Sequence, residues 1–372
     1  MLIGIPKEIK VEEYRVGLTP DSVRQYVSHG HKVLVEKEAG IGLGCSNEDY
    51  TKAGAQIADS AAEIFAEADM IVKVKEPQPA ERAMLRQDQI LFTYLHLAPD
   101  PDQTNDLLKS GAICIAYETV TNQHGHLPLL APMSQVAGRL SIQAGARCLE
   151  KEMGGRGVLL GGVPGVAPAK VTVVGGGVVG EHAIIMALGL GADVTVLDNN
   201  VETLERLEIR YGVALKTVFS TPTATEDHVV ASDLVIGAVL VAGAEAPKLV
   251  SADMVKQMQT GSVLVDVAID QGGCFETSKA TTHKDPTYVI DGVIHYCVAN
   301  MPGAVPCTST HALNNVTAPF GLAIAGKGWQ QALSDDPHLR DGLNIFDGQI
   351  TNEAVANALN QSYVEPASIL KM

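Results

Sequence analysis

The sequence predicts an α/β protein of two doubly wound domains with mainly parallel sheets, joined by two long helices with a cleft between them. Three observations carry that expectation. Apolar, β-branched runs alternate with helical segments along both halves of the chain. One such run, Val171–Val174, passes directly into the glycine cluster Gly175-Gly176-Gly177-Val178-Val179-Gly180. Two long helical stretches flank the half that carries this cluster. One, rich in small residues, runs from Pro132 to Lys151, and the other starts near Thr308 and continues towards Trp329. The expected division is therefore residues 1–130 with 308–372 in a discontinuous first domain, and 131–307 in a continuous second one.

In the first half, Leu2–Ile5 reads as a short strand. Thr19-Pro20-Asp21-Ser22 then opens a helix to about Ser28, with a cap residue followed by an early proline. His31–Val35 is a strand, and Asn47–Gly54 and Ser60–Ala68 are helical. Met70–Lys75 reads as a strand, Pro79–Arg86 as a helix and Ile90–His96 as a strand. Pro101–Lys109 is a helix and Ala112–Tyr117 a further strand. Beyond the glycines, Val179–Leu190 is a helix, Asp193–Asp198 a strand and Val201–Tyr211 a helix. Strands follow over Ala214–Phe219 and Leu234–Val239, then a helix over Ser251–Met258. Ser262–Ile269 and Val293–Ala299 read as the last strands. Strand and helix in strict alternation imply a parallel sheet covered on both faces.

Composition narrows the function. A chain of 372 residues with 46% hydrophobic and 19% charged residues is globular and long enough for two cores. The net charge of −16 argues against nucleic acid or an anionic membrane surface as partner. No apolar run is long enough to span a bilayer, and the N-terminus lacks a signal-peptide layout. The six cysteines are scattered without a C-x-x-C pair, as suits free thiols in a reducing cytoplasm. His124-Gly125-His126 sits in a turn with no cysteine or carboxylate set to complete a metal site.

Gly175, Gly177 and Gly180 stand in G-x-G-x-x-G spacing between a strand and a helix. The first permits the tight turn, the second lets the backbone approach a pyrophosphate, and the third lets helix and strand pack closely. The helix N-terminus points free N–H groups at the phosphates. The next strand ends on Asp198, where a ribose 2′-hydroxyl needs an acceptor and a 2′-phosphate would be repelled. Strand, loop, helix, strand and terminal acid in that order predict a Rossmann-like domain that binds NAD rather than NADP.

Ligands collect outside the carboxyl ends of strands in open parallel sheets. By that rule Lys75, His96 and Arg15 in the first half, and Asp270 in the second, face one crevice. Each also has an ordinary use: His96 as a hydrogen-bonded residue after a strand, Lys75 as a surface lysine, Arg15 in a solvated charged loop and Asp270 as the cap of a turn. Lys73 reads as a surface lysine or the partner of a carboxylate.

Several motifs carry a resemblance. Gly4-Ile-Pro-Lys-Glu-Ile and Glu12-Glu-Tyr-Arg15-Val-Gly-Leu-Thr19-Pro resemble the N-terminal motif shared by alanine dehydrogenases and the NAD(H)-binding subunit of proton-translocating transhydrogenases. Val11 stands where the family pattern has Asn. Val173–Gly180, Leu188–Val194 and Asp198 are similar to the second family motif, and Val72-Lys-Val-Lys75-Glu-Pro and Leu91–Ala98 look like alanine dehydrogenases in particular. The resemblance covers essentially the whole chain. It implies that Arg15 and Lys75 bind the substrate carboxylate and that His96 and Asp270 are catalytic. It also implies that Ser134, Val178, Val179, Asp198, Ser220, Val239, Leu240, Val267, Ala268, Ile269, Asp270, Val298, Ala299, Asn300 and Met301 line the NAD site. Thr203 replaces a basic residue that many relatives carry at the adenosine end.

The implied reaction takes L-alanine, NAD and water reversibly to pyruvate, ammonium and NADH. Hydride leaves the α-carbon, water adds to the resulting iminium, and the carbinolamine collapses. Those proton transfers suit an imidazole, which titrates near neutrality. Family members are commonly hexameric. The competing readings are a transhydrogenase-type NAD(H)-binding subunit, a neighbouring amino-acid dehydrogenase such as a saccharopine-type enzyme, and a non-catalytic NAD sensor.

Overall fold

The structure is a computed structural model that describes residues 1–239 and 246–370. It divides into two compact units, Met1–Met133 with Val305–Met372, and Ser134–Ala304. The helix Ala131–Cys148 begins at the first border and the helix Pro306–Lys327 at the second.

The first unit is built on β1 (Leu2–Ile5), β2 (Lys32–Glu36), β3 (Gln56–Ala58), β4 (Met70–Val72), β5 (Ile90–Thr93) and β6 (Ile113–Ala116). The second carries β7 (Lys170–Val174), β8 (Asp193–Asp198), β9 (Leu215–Phe219), β10 (Leu234–Gly237), β11 (Val263–Asp266), β12 (Thr287–Ile290) and β13 (Val293–Tyr296). The chain then returns to the first unit with β14 (Leu343–Phe346) and β15 (Gln349–Ile350).

The first sheet runs β15-β14-β6-β5-β4-β1-β2-β3, parallel from β6 to β3, with β14 antiparallel to β6 and β15 antiparallel to β14. Every residue of β4, β5 and β6 is buried, as expected for strands with helices on both faces. Leu34, Ile71, Leu91 and Cys114 on one face meet Ile64, Phe65 and Leu107 from the covering helices. Local signals start those helices. Thr19 Oγ1 accepts from Ser22 N–H at the start of Pro20–Ser28, and Ser60 caps Ala61–Glu67 in the same way.

The second sheet runs β12-β13-β11-β10-β7-β8-β9, parallel except for β12. Its order reverses at the β7–β10 pair, and the glycine cluster follows β7. Such a reversal opens a crevice outside the carboxyl ends of the strands.

Several strands are shorter than their apolar runs. β4 ends at Val72 rather than Lys75, β5 at Thr93 rather than His96, β11 at Asp266 rather than Ile269, and β13 at Tyr296 rather than Ala299. Past each ladder the chain stays buried with only isolated pairing: Val74, Leu95, Leu97 and Val298 are at most 2% exposed, Val74 C=O accepts from Tyr94 N–H, and Val298 forms a lone bridge with Thr281. Beyond β11 it tightens into a 3-10 turn, Val267–Gln271. The short β3, the helix Pro222–Val230 and the antiparallel strands β12, β14 and β15 are additions to the expected elements.

Candidate active site

In the first unit the neighbouring strands β6, β5, β4 and β1 each deliver polar groups just past their carboxyl ends. Glu118 follows β6, His96 follows β5, Lys73 and Lys75 follow β4, and Glu8 and Arg15 follow β1. The rule about strand ends thus brings Arg15, Lys75 and His96 to one edge of one sheet.

Arg15 is not in a solvated loop. A turn closed by Glu13 N–H to Lys10 C=O, with Glu12 at φ 59°, directs Glu13 and Arg15 inward while Tyr14 faces out. The guanidinium is 2% exposed. Its Nε donates to Glu13 Oε1 at 2.6 Å and its Nη2 to Glu13 Oε2 at 2.5 Å, while Nη1 lies 3.0 Å from Met133 Sδ. Burial opposes the charge of Arg15, but the hydrogen bonds and charge of Glu13 overcome it, and the pKa stays above the ordinary arginine value.

Behind it, Lys73 is wholly buried between Glu8 (2.9 Å) and Glu81 (2.8 Å), so it is the partner of carboxylates and not a surface lysine. Glu8 also accepts from Val74 N–H at 2.7 Å and Lys75 N–H at 3.3 Å, which fixes the backbone that carries Lys75. Burial is the main influence on Glu8 and pushes its pKa up against the pull of Lys73. Glu76, ion-paired with Lys10, is also penalised by burial, yet Lys75, Lys10 and His96 together hold its pKa below the usual carboxylate range.

His96 has φ 51°, a left-handed conformation uncommon for a residue with a Cβ. Its side chain is exposed between buried Leu95 and Leu97. Glu118 holds the inversion by accepting from Leu95 N–H (3.0 Å) and His96 N–H (2.6 Å). Gln103 and Thr104, on the helix Pro101–Ser110, bind the carbonyls of Leu95 and Leu97. The imidazole stacks on the Tyr94 ring, centroids 5.9 Å apart and 14° from parallel.

In the second unit, Gly175 has φ +100°, and a Cβ there would lie 2.8 Å from Ala238 C=O and 2.9 Å from Val239 Cγ2. The turns after β7 and β10 therefore touch, which brings Val239 to the glycine loop. A Cβ on Gly180 would sit 1.8 Å from Gly175 C=O, the close helix–strand approach that the spacing implied. At Gly177 a Cβ would meet nothing within 4 Å, so the protein's own packing does not demand glycine there. Gly177 precedes the helix Val178–Gly189, whose first turn has no side-chain cap. An open approach beside uncapped N–H groups fits a dinucleotide pyrophosphate. Val178 is exposed and Val179 buried.

Asp198 Oδ2 accepts from Gly176 N–H at 2.7 Å and Oδ1 from Asn200 N–H at 2.8 Å. A carboxylate has about four acceptor positions, so capacity remains for a ribose hydroxyl. Ser220 is anchored beside it by its N–H to Asp198 C=O. The helix that carries Ser134 presses Gly138 against Val179 C=O. Val267, Ala268, Ile269 and Asp270 form the 3-10 turn after β11, with Asp270 exposed. Asp266 governs that turn. Fully buried, it accepts from the N–H groups of Ala268, Cys274 and Phe275 and from Ser278 Oγ at 2.5 Å. Val298, Ala299, Asn300 and Met301 follow β13, with Asn300 at φ 63° and its carbonyl 3.1 Å from His283 Nε2. Leu240 lies outside the described residues.

The sequence reading did not single out Glu8, Glu13, Glu118, Met133 or Asp266. For Glu8 and Glu13 the signal was an acid two residues from a cation or beside a strand end. Nothing local marked Glu118 or Met133.

The reversed strand order, the glycine loop and the polar strand ends define a two-unit α/β protein of the dinucleotide-binding class. Residues 4–137 match the family described as alanine dehydrogenase/PNT, N-terminal domain, and residues 141–353 match its C-terminal domain. The chain belongs to this family. It is 61% identical over 370 residues to an alanine dehydrogenase of Halomonas elongata, covering 100% of both chains. A solved L-alanine dehydrogenase matches with a TM-score of 0.94 at 53% identity, over 97% of this chain and 99% of the other. A transhydrogenase from Sinorhizobium meliloti shares the fold, with a TM-score of 0.80 at 24% identity over 95% and 100%.

Proposed function

We propose that this chain is an NAD-dependent alanine dehydrogenase, catalysing the reversible oxidative deamination of L-alanine to pyruvate and ammonium. The observation that carries the reading is the row of Arg15, Lys75 and His96 past adjacent strands of one sheet. Two cations beside an imidazole suit a small 2-oxo or 2-amino acid whose carbonyl or amine carbon must exchange protons with water. The full-length similarity to alanine dehydrogenases supports it.

Arg15 and Lys75 hold the substrate carboxylate through charge-assisted hydrogen bonds, which fixes the α-carbon. His96 takes a proton from the water that adds to the iminium, and returns it as the carbinolamine collapses. Asp270 orients the water or amine and stabilises the transient positive charge. Gly175, Gly177 and Gly180 would admit the pyrophosphate of NAD and Asp198 would accept from its ribose, and the bound nicotinamide would supply the hydride acceptor. Ser134, Val178, Val179, Ser220, Val239, Leu240, Val267–Asp270 and Val298–Met301 line the remainder. In this reading residues 1–133 with 305–370 carry substrate chemistry and 134–304 carry NAD. No described helix is long and apolar enough to cross a membrane. A homohexamer acting in the cytoplasm completes the proposal, and light scattering of purified protein tests the assembly.

The deciding experiment follows NADH absorbance with pyruvate and ammonium, then with each omitted. Consumption that requires both supports reductive amination. Tight NADH binding without consumption would move the assignment to a transhydrogenase-type subunit. His96→Asn is expected to lower kcat by about a thousandfold, within the range for lost acid–base catalysis, while leaving NADH binding intact.

A further inference from the structure

We infer that Glu13 is a positioning residue for the carboxylate site: its carboxylate fixes the plane of the Arg15 guanidinium and so sets the affinity for the 2-oxo acid. The inference rests on the proposed role of Arg15.

Three donors of Arg15 converge on one side chain. Nε and Nη2 form a fork with the two Glu13 oxygens, and the Arg15 backbone N–H reaches Oε1 at 3.0 Å. Both side chains are buried, at 0% and 2% exposure, so solvent does not weaken the pair. An arginine carries several rotatable bonds, and a ligand that had to order it would lose affinity in doing so. Glu13 orders it in advance. Because Glu13 takes the Nε/Nη2 edge, that edge is closed to a substrate carboxylate, and Met133 Sδ lies against the other terminal nitrogen, Nη1. The turn at Glu12 serves the same end, since its left-handed backbone is what carries Glu13 inward two residues ahead of Arg15. The fork thereby selects the direction from which a carboxylate can bind.

Glu13→Gln keeps the shape but replaces one acceptor oxygen with an NH2 that faces a donor. A buried charge-assisted hydrogen bond is worth about tenfold or more in binding. The KM for pyruvate is therefore expected to rise at least about tenfold, with the KM for NADH unchanged and kcat at saturating pyruvate within about threefold. A merely structural role would lower the active fraction, and hence kcat, without moving the KM for pyruvate. Glu13→Asp keeps the charge on a shorter stem and should fall between wild type and Gln. It also serves as the test if the Gln variant does not fold. A pyruvate KM unchanged or lowered in the folded variants overturns the inference.

Calorimetric titration of NADH-loaded protein with pyruvate separates this inference from the functional reading. Wild type that binds pyruvate without turnover sinks the reading alone, and the shift in Kd between wild type and the variants still decides the role of Glu13. Wild type that binds no pyruvate overturns both.

Discussion

Past β1 in the first unit and at the end of β11 in the second, buried acids are met in opposite ways. In the first, Glu8, Glu81 and Glu13 lie out of water against Lys73 and Arg15, so charge is met by charge. In the second, Asp266 is equally buried but is met by three backbone N–H groups, a hydroxyl and the Cys274 thiol, and no cation pairs with it among the described residues. The difference follows from what each carboxylate holds. Glu8 and Glu13 fix side chains and backbone that must present positive charge, and ion pairs serve that purpose. Asp266 fixes the path of a turn, and hydrogen bonds to successive amides do so directionally. Ion pairing makes the first arrangement fragile to loss of one partner, whereas the second spreads its dependence over several donors.

The largest effect that tests this contrast is expected at Lys73. Lys73→Met leaves Glu8 and Glu81 buried without their cation and should reduce the unfolding free energy by about 3–5 kcal/mol, read by guanidinium denaturation. A loss near zero would mean that the first unit does not depend on charge pairing. Asp266→Asn comes next, at about 1–3 kcal/mol, because one oxygen becomes a donor facing donors. Burial raises the folded-state pKa of Asp266, so its contribution is full below the unfolded-state value and declines as pH rises through the raised one. The gap between wild type and Asp266→Asn should therefore be widest in acid and narrow with rising pH. Glu76→Gln is the smallest, about 1 kcal/mol or less because Lys10 is solvent-accessible. Its sign is opposite: the folded-state pKa is lowered, so the contribution is present above the ordinary carboxylate value and lost as pH falls through the lowered one. Denaturation at several pH values separates the two carboxylates. A common pH trend would erase the distinction between them.

Much of the fold was legible because each local signal agreed with its neighbours. β8 and the helix Val201–Tyr211 have the bounds that the sequence predicted, since an acid and Asn200 mark the junction between them. The overextended strands show what periodicity cannot see. An apolar run reports burial, and Val74, Leu95 and Val298 are buried beyond the ends of the strands. The antiparallel additions carried a readable signal. Asp291-Gly292 and Asp347-Gly348 have positive φ at both residues, the tight-hairpin turn that Asp-Gly favours, and they join β12 to β13 and β14 to β15. In the site, residues beside a strand end or a glycine were legible one by one. Glu118 was not, because it meets His96 only through a neighbouring strand, 22 positions away.

The left-handed backbone at position 96 has a consequence for stability. A residue with a Cβ held there costs about 1 kcal/mol or more relative to glycine, and Glu118 with the helix Pro101–Ser110 must keep the inversion in place. His96→Gly should therefore melt at the same temperature as the parent or higher while losing turnover. Glycine would satisfy that backbone at less cost, so what an imidazole adds at this position is the acid–base role proposed for it.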